Sequence, residues 1–126
     1  MKSRLLAAFA VMIVSASSFA AGLEVFSPEA FEKAVREKRS VVLGFHSPSC
    51  GSCIVQKPAL DEVLRESEFS NIAGFTVPFR ESTDLRNLLR VTSPSTIVVM
   101  KNDQEVARAI GTTEKSDLRE LVKKGL

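Results

Sequence analysis

The chain lacks tryptophan and tyrosine altogether, and among 126 residues it holds one histidine and two cysteines. Without indole or phenol rings it has little from which to build a base-stacking platform for single-stranded nucleic acid. Two thiols and one imidazole fall one ligand short of a closed structural zinc site, so a metal centre within one chain is disfavoured. A strong charge of either sign is missing too. Seventeen basic residues face fifteen acidic ones, and two of the basic residues, Lys2 and Arg4, sit at the extreme N-terminus. The remainder is close to neutral, which removes the case for a nucleic acid partner or an anionic membrane surface. No internal repeat, low-complexity tract or linker interrupts the chain.

The first twenty residues read as a targeting segment. Lys2 and Arg4 form a basic start, Leu5 to Val14 is apolar, and Ser18-Phe19-Ala20 places small residues at −3 and −1 of a cleavage site. A cleaved signal peptide over 1–20 is therefore expected, with a periplasmic or secreted mature chain from Ala21. The rival reading is an uncleaved anchor, since Leu5 to Leu23 carries no charge. Its serines and the small residues placed for cleavage argue against it. Export implies an oxidising compartment, where a cysteine pair is either a disulfide or a redox couple. The 106 residues left are enough for one domain, 21–126, with one modest core.

Within that domain, Leu23 to Phe26 reads as a short strand. Ser27-Pro28-Glu29 then starts a helix, with a hydroxyl cap, proline at the first position and an acid in the first turn. Val41 to Phe45 is a continuous apolar run, as expected of a strand buried on both faces. A second helix from Gly51 to about Arg65 is expected to bury Ile54, Val55, Leu60, Val63 and Leu64, and to kink at Pro58. Asn71 to Gly74 reads as a loop. Phe75, Val77 and Phe79 alternate like a strand, although Pro78 tells against pairing on both sides. Asp84 is expected to cap a short helix whose core stripe is Leu85, Leu88 and Leu89. Thr96 to Met100 and Glu105 to Ile110 form a hairpin across Lys101–Gln104, and a last helix spans about Thr113 to Lys124. The order β-α-β-α-β-α-β-β-α implies an α/β fold, a central mixed sheet with helices on both faces.

The two cysteines close the segment Val41-Val42-Leu43-Gly44-Phe45-His46-Ser47-Pro48-Ser49-Cys50-Gly51-Ser52-Cys53. Cys50 falls at the first turn of the second helix, where free N–H groups and the helix dipole favour a thiolate nucleophile. Cys53, one turn on, faces the same side and can attack a mixed disulfide formed at Cys50. A permanent disulfide closing so small a loop removes little unfolded-state entropy, so it makes a poor staple. The charged residues around this helix, Lys57, Arg65, Glu66 and Glu68, read as a solvated face.

This arrangement resembles the thioredoxin family over essentially all of Leu23 to Leu126. Besides Cys-x-x-Cys, the likeness rests on Phe45 five residues before Cys50 and Pro58 five after Cys53. It also rests on Val91-Thr92-Ser93-Pro94-Ser95-Thr96 followed by an apolar strand, and on Ile110-Gly111 before the last helix. The resemblance implies a thioredoxin fold and a redox-active Cys50–Cys53 disulfide that needs no organic cofactor or metal. It further implies that the loop Ser93, Pro94, Ser95 and Thr96 holds an extended protein substrate by strand addition.

Three departures bear on mechanism. Thioredoxins bury an aspartate where this chain has Gly44, and Thr76 stands where they have a neighbouring lysine. The proton of Cys53 must then use water or another group. His46 is the candidate, against a reading in which it is a surface ring that touches no proton. Ser49 replaces an aromatic before the nucleophile, and Gly51-Ser52 replaces Gly-Pro between the cysteines, which changes the redox potential. Ungapped counting puts Ser95, one residue after Pro94, at the family's cis-proline position. A cis bond before a non-proline residue costs about 3 kcal/mol, which leaves either a trans Pro94–Ser95 bond or a shifted loop with Ser93–Pro94 cis.

The expectation is thus an exported thiol–disulfide oxidoreductase, a monomer exchanging disulfides with protein thiols and with a membrane or periplasmic redox partner, with a lean towards reduction. The alternative is a thioredoxin-fold binding or chaperone module with little turnover.

Overall fold

The computed structural model describes residues 10–11 and 22–126. The expected signal segment, residues 1–20, lies outside the described residues except for Ala10 and Val11. The elements are β1 (Leu23–Val25), α1 (Pro28–Arg36), β2 (Val41–His46), α2 (Gly51–Leu64), a 3-10 turn (Ser67–Phe69), β3 (Ala73–Pro78), α3 (Thr83–Leu89), β4 (Thr96–Lys101), β5 (Gln104–Ile110) and α4 (Lys115–Lys123). This is the order expected from the sequence, with the 3-10 turn added.

The sheet runs β1-β3-β2-β4-β5. β3 is parallel to both β1 and β2, whereas β4 is antiparallel to β2 and to β5. Central β2 alternates its side chains between two cores, which explains its unbroken apolar run. Val41, Leu43 and Phe45 join Ala34 of α1 and the partly buried Leu85 and Leu89 of α3 on one face. Val42 joins Leu60, Val63 and Leu64 of α2 with Leu118 and Val122 of α4 on the other. Each large side chain so buried contributes about 1.5–3 kcal/mol, and α2 and α4 owe their shared face to this second core.

Local signals operate as the residues suggest. Ser27 Oγ accepts the Ala30 N–H at 3.1 Å, and Pro28 opens α1. The lone pairing of Pro78 is also explained: β1 partners only Gly74 to Thr76, so Pro78, which has no N–H, faces His46 of β2 alone.

Five expectations are corrected. Ile54 and Val55 are 60% and 56% exposed. The buried stripe of α2 is Cys53, Gln56, Ala59, Leu60, Val63 and Leu64. At 100° per residue, Ile54 lies about 140° and Val55 about 120° from its midline. Leu88 is 78% exposed, because a two-turn helix presents one narrow stripe and Leu85 with Leu89 fill it. Asp84 lies in the first turn of α3, and Ser82 holds the cap position. Finally, Ala73 and Gly74 already belong to β3, so the loop before it is shorter than expected, and α4 starts at Lys115.

Candidate active site

The site forms where β2 runs out into α2. Ser47 is buried and its carbonyl accepts the Cys50 N–H at 3.1 Å, turning the chain through Pro48 and Ser49. Cys50 is the N-cap of α2 and has extended backbone angles. Its Sγ accepts the Cys53 N–H at 3.2 Å and lies 3.4 Å from Ser52 Oγ. A sulfur in the place of a capping oxygen receives the same donor that stabilises a serine or aspartate cap, and a thiolate receives it best.

Cys50 and Cys53 are joined as a disulfide with their Cα atoms 5.3 Å apart. The two sulfurs are unequal. Cys50 is half-buried at the rim, whereas Cys53 is 1% exposed and its Sγ lies 3.9 Å from the Phe45 carbonyl oxygen. An incoming thiol or disulfide can reach the first sulfur and is shielded from the second. Gly51 faces open space, where an added Cβ would meet nothing within 4 Å.

The loop before β4 lies against the same carbonyl. Ser95 N–H donates to Phe45 O at 2.9 Å, so this oxygen sits between the loop and the buried sulfur. The described residues contain no cis peptide bond. Ser93-Pro94-Ser95-Thr96 instead makes a turn in which Ser95 takes φ +61°, and Thr96 Oγ1 donates to Ser93 O at 2.7 Å. Proline at the second turn position with a left-handed residue at the third accounts for the one-residue displacement of Pro94. Both backbone groups of Ser95 are spoken for, since its carbonyl accepts from Gly111 N–H at 3.1 Å.

His46 ends β2 with its Nδ1 buried and unpaired. Burial, and secondarily the positive charge of Lys57, hold its pKa below the ordinary histidine value, so the neutral imidazole is favoured. Beneath it, Gly44, Gln56, Lys57, Leu60 and Thr76 help line a cavity of about 10 Å³. That is room for about one water molecule where a carboxylate is missing.

Two neighbours escaped the sequence reading. Arg80 follows β3 and brings its guanidinium within 3.4 Å of Ser49 Oγ, on the residue before Cys50. The parallel pairing of β2 and β3 delivers both strand ends to one edge, and that pairing is what could have pointed to it. Gln56 lies on the buried stripe of α2. Its spacing from Cys53 and Leu60, three and four residues, was the available signal. Glu66, read as solvated, accepts a bifurcated hydrogen bond from Arg119 Nε of α4, at 2.6 and 3.2 Å to its two carboxylate oxygens. The Arg119 hydrogen bond keeps its carboxyl below the usual carboxylate range. Among the described residues, no group of three His, Cys, Asp or Glu side chains could hold a metal ion.

Comparison with known proteins gives a consistent picture. The thioredoxin family model matches residues 22–124. A thioredoxin of Echinococcus granulosus is 30% identical over 94 residues, 75% of this chain and 85% of that protein. A thioredoxin of Mycoplasma genitalium is 31% identical over 98 residues, covering 78% and 94%. The crystal structure of Trxlp from Edwardsiella tarda superposes with a TM-score of 0.75 at 27% identity, covering 79% of this chain and 97% of that one.

Proposed function

The chain belongs to the thioredoxin family, and from that premise we propose that it works outside the cytosol, as an exported thiol–disulfide oxidoreductase acting on proteins. The oxidoreductase activity itself follows from the family and from the paired Cys50 and Cys53, which need no external cofactor. One observation carries the assignment of roles: the rim sulfur of Cys50 is capped by the Cys53 N–H, while Cys53 is buried. In reduction, the Cys50 thiolate attacks a substrate disulfide and expels one substrate sulfur as a thiolate. The Cys53 thiolate then attacks Cys50 Sγ, releasing the second substrate thiolate and leaving the Cys50–Cys53 disulfide. The Cys53 proton leaves by way of water in the Gly44 cavity or through His46. Two electrons return from a membrane or periplasmic partner, and the protein acts as a monomer.

Export is supported by the basic start, apolar stretch and small-residue cleavage site of residues 1–20. N-terminal sequencing of protein from the extracytoplasmic fraction should begin at Ala21. The lean towards reduction is supported by the brevity of the β3 to β4 connection, a single seven-residue helix with no inserted domain. Equilibration with glutathione, read by thiol alkylation, should give a potential near roughly −270 mV; a value near −120 mV would make it an oxidant. In an insulin-disulfide reduction assay, wild type should be active and Cys50→Ser inert, while Cys53→Ser should accumulate a mixed disulfide.

A second reading, a binding or chaperone module, is favoured by the trans loop, in which Ser95 has no backbone group left for a substrate strand. It would hold if wild type and Cys50→Ser behaved alike in that assay.

A further inference from the structure

Apart from the exchanging sulfurs, the interior of the site contains one long polar side chain. Gln56 is 4% exposed. Its Nε2 donates to the Ser95 carbonyl at 3.0 Å and to the Thr112 carbonyl at 2.9 Å. Two facing carbonyl oxygens accept and cannot donate, so the amide nitrogen must be the group turned towards them. Both acceptors lie in loops: Ser95 precedes β4, and Thr112 follows β5. α2 therefore ties the two loops to the helix that carries the cysteines.

We infer that Gln56 is a positioning residue that sets the substrate-binding loop against the cysteine pair. The path is short and continuous. Gln56 Nε2 holds Ser95 O, Ser95 N–H holds Phe45 O at 2.9 Å, and Phe45 O lies 3.9 Å from Cys53 Sγ. The need for such a tie is local. Ser95 sits at φ +61°, which serine rarely adopts, and the turn is maintained only if its surroundings over-determine it. Gly111 N–H and Gln56 Nε2 converge on the Ser95 carbonyl and do so. Removing the amide leaves the Ser95 carbonyl with one donor and frees the segment around Thr112. The loop then samples other positions beside the cysteine pair, where a protein substrate has to approach Cys50. The cysteines, held by α2 itself, are not moved.

This inference rests on the redox reading above, and the test separates the two. Gln56→Met keeps the side-chain length and removes both donors. Gln56→Glu keeps the shape but turns a carboxylate on two carbonyls. Both variants, with dithiothreitol as electron donor, are assayed on insulin and on a small aromatic disulfide that needs no loop contact. Gln56→Met should raise the insulin KM roughly fivefold, which corresponds to about 1 kcal/mol for the lost hydrogen bond to Ser95, the one of the two that bears on this loop. Its kcat, its rate on the small disulfide and its cysteine potential should match wild type. Gln56→Glu should raise KM further. An unchanged insulin KM in both variants overturns the inference. So does a parallel loss on both substrates with a shifted potential, which would make Gln56 a general structural support. A wild type inert towards both disulfides would remove the redox reading itself, and this one with it.

Discussion

Gly44 offers the sharpest test of how the interior of the site is built. It lies in central β2, opposite Thr76 of β3 and Ile97 of β4, and points towards α2. A Cβ built there would lie 3.4 Å from Leu60 Cδ2 and 3.7 Å from Phe75 O, which is ordinary contact. Gly44→Ala should therefore be accommodated. The gain in chain entropy over glycine is about 0.5–1 kcal/mol, and part of a buried methyl, about 0.8 kcal/mol, adds to it. After a deduction for crowding Leu60, a net stabilisation of about 1 kcal/mol is expected. For a domain of this size it raises Tm by about 4–8 °C. Gly44→Asp should do the opposite. The cavity of about 10 Å³ holds about one water and cannot hydrate a carboxylate. Desolvation would raise the pKa of the introduced carboxyl by 2–3 units, at about 1.4 kcal/mol per unit.

A raised carboxyl pKa leaves stability intact below about pH 4 and removes it as pH climbs to the folded-state pKa. Urea unfolding should accordingly place Gly44→Asp near Gly44→Ala at pH 4 and about 3–4 kcal/mol below it at pH 7. An Asp variant equally stable at both pH values would refute the reasoning. It would mean that the exposed Lys57, which lines the same cavity, pairs with the carboxylate. A loss of more than about 1 kcal/mol in Gly44→Ala would refute the packing half.

Two further outcomes follow from the geometry. At Gly74 an added Cβ would meet Leu64 Cδ1 at 2.5 Å and Gly22 O at 3.1 Å, so Gly74→Ala should lose about 1–3 kcal/mol in urea titration, in contrast to Gly44→Ala. His46 has a folded-state pKa below its unfolded value, because burial and Lys57 oppose its protonation. Its contribution is complete above about pH 6.5 and declines as pH falls below that. Wild-type Tm should therefore drop between pH 7.5 and pH 5.5, and His46→Gln should flatten that stretch of the profile. An equal slope in both proteins would show that another group titrates there.

Much of this protein is legible in its residues. The continuous apolar runs at Val41–Phe45 and Thr96–Met100 mark the two central strands, because a strand covered on both faces has no polar side to show. Ser27-Pro28 fixes the start of α1 by a local hydrogen bond, and the Cys-x-x-Cys spacing sets both sulfurs on one turn. Those signals act within a few residues, so they survive without tertiary context. What failed were choices between apolar residues on the same helix. Ile54, Val55 and Leu88 are as hydrophobic as their buried neighbours, and only the packing partner decides which stripe is covered. The fold buried Gln56 and exposed Ile54, because the stripe that carries Cys53 had to face the sheet. The displaced proline was likewise ambiguous in sequence and was settled by the turn that ties Ser95 to Phe45, Gly111 and Gln56. Sequence alone thus determined the family, the strands and the pairing of the two cysteines on one turn. Tertiary structure decided what surrounds the pair, since the burial of Cys53, the hold of Ser95 on Phe45 and the reach of Arg80 to Ser49 are relations between segments far apart in the chain.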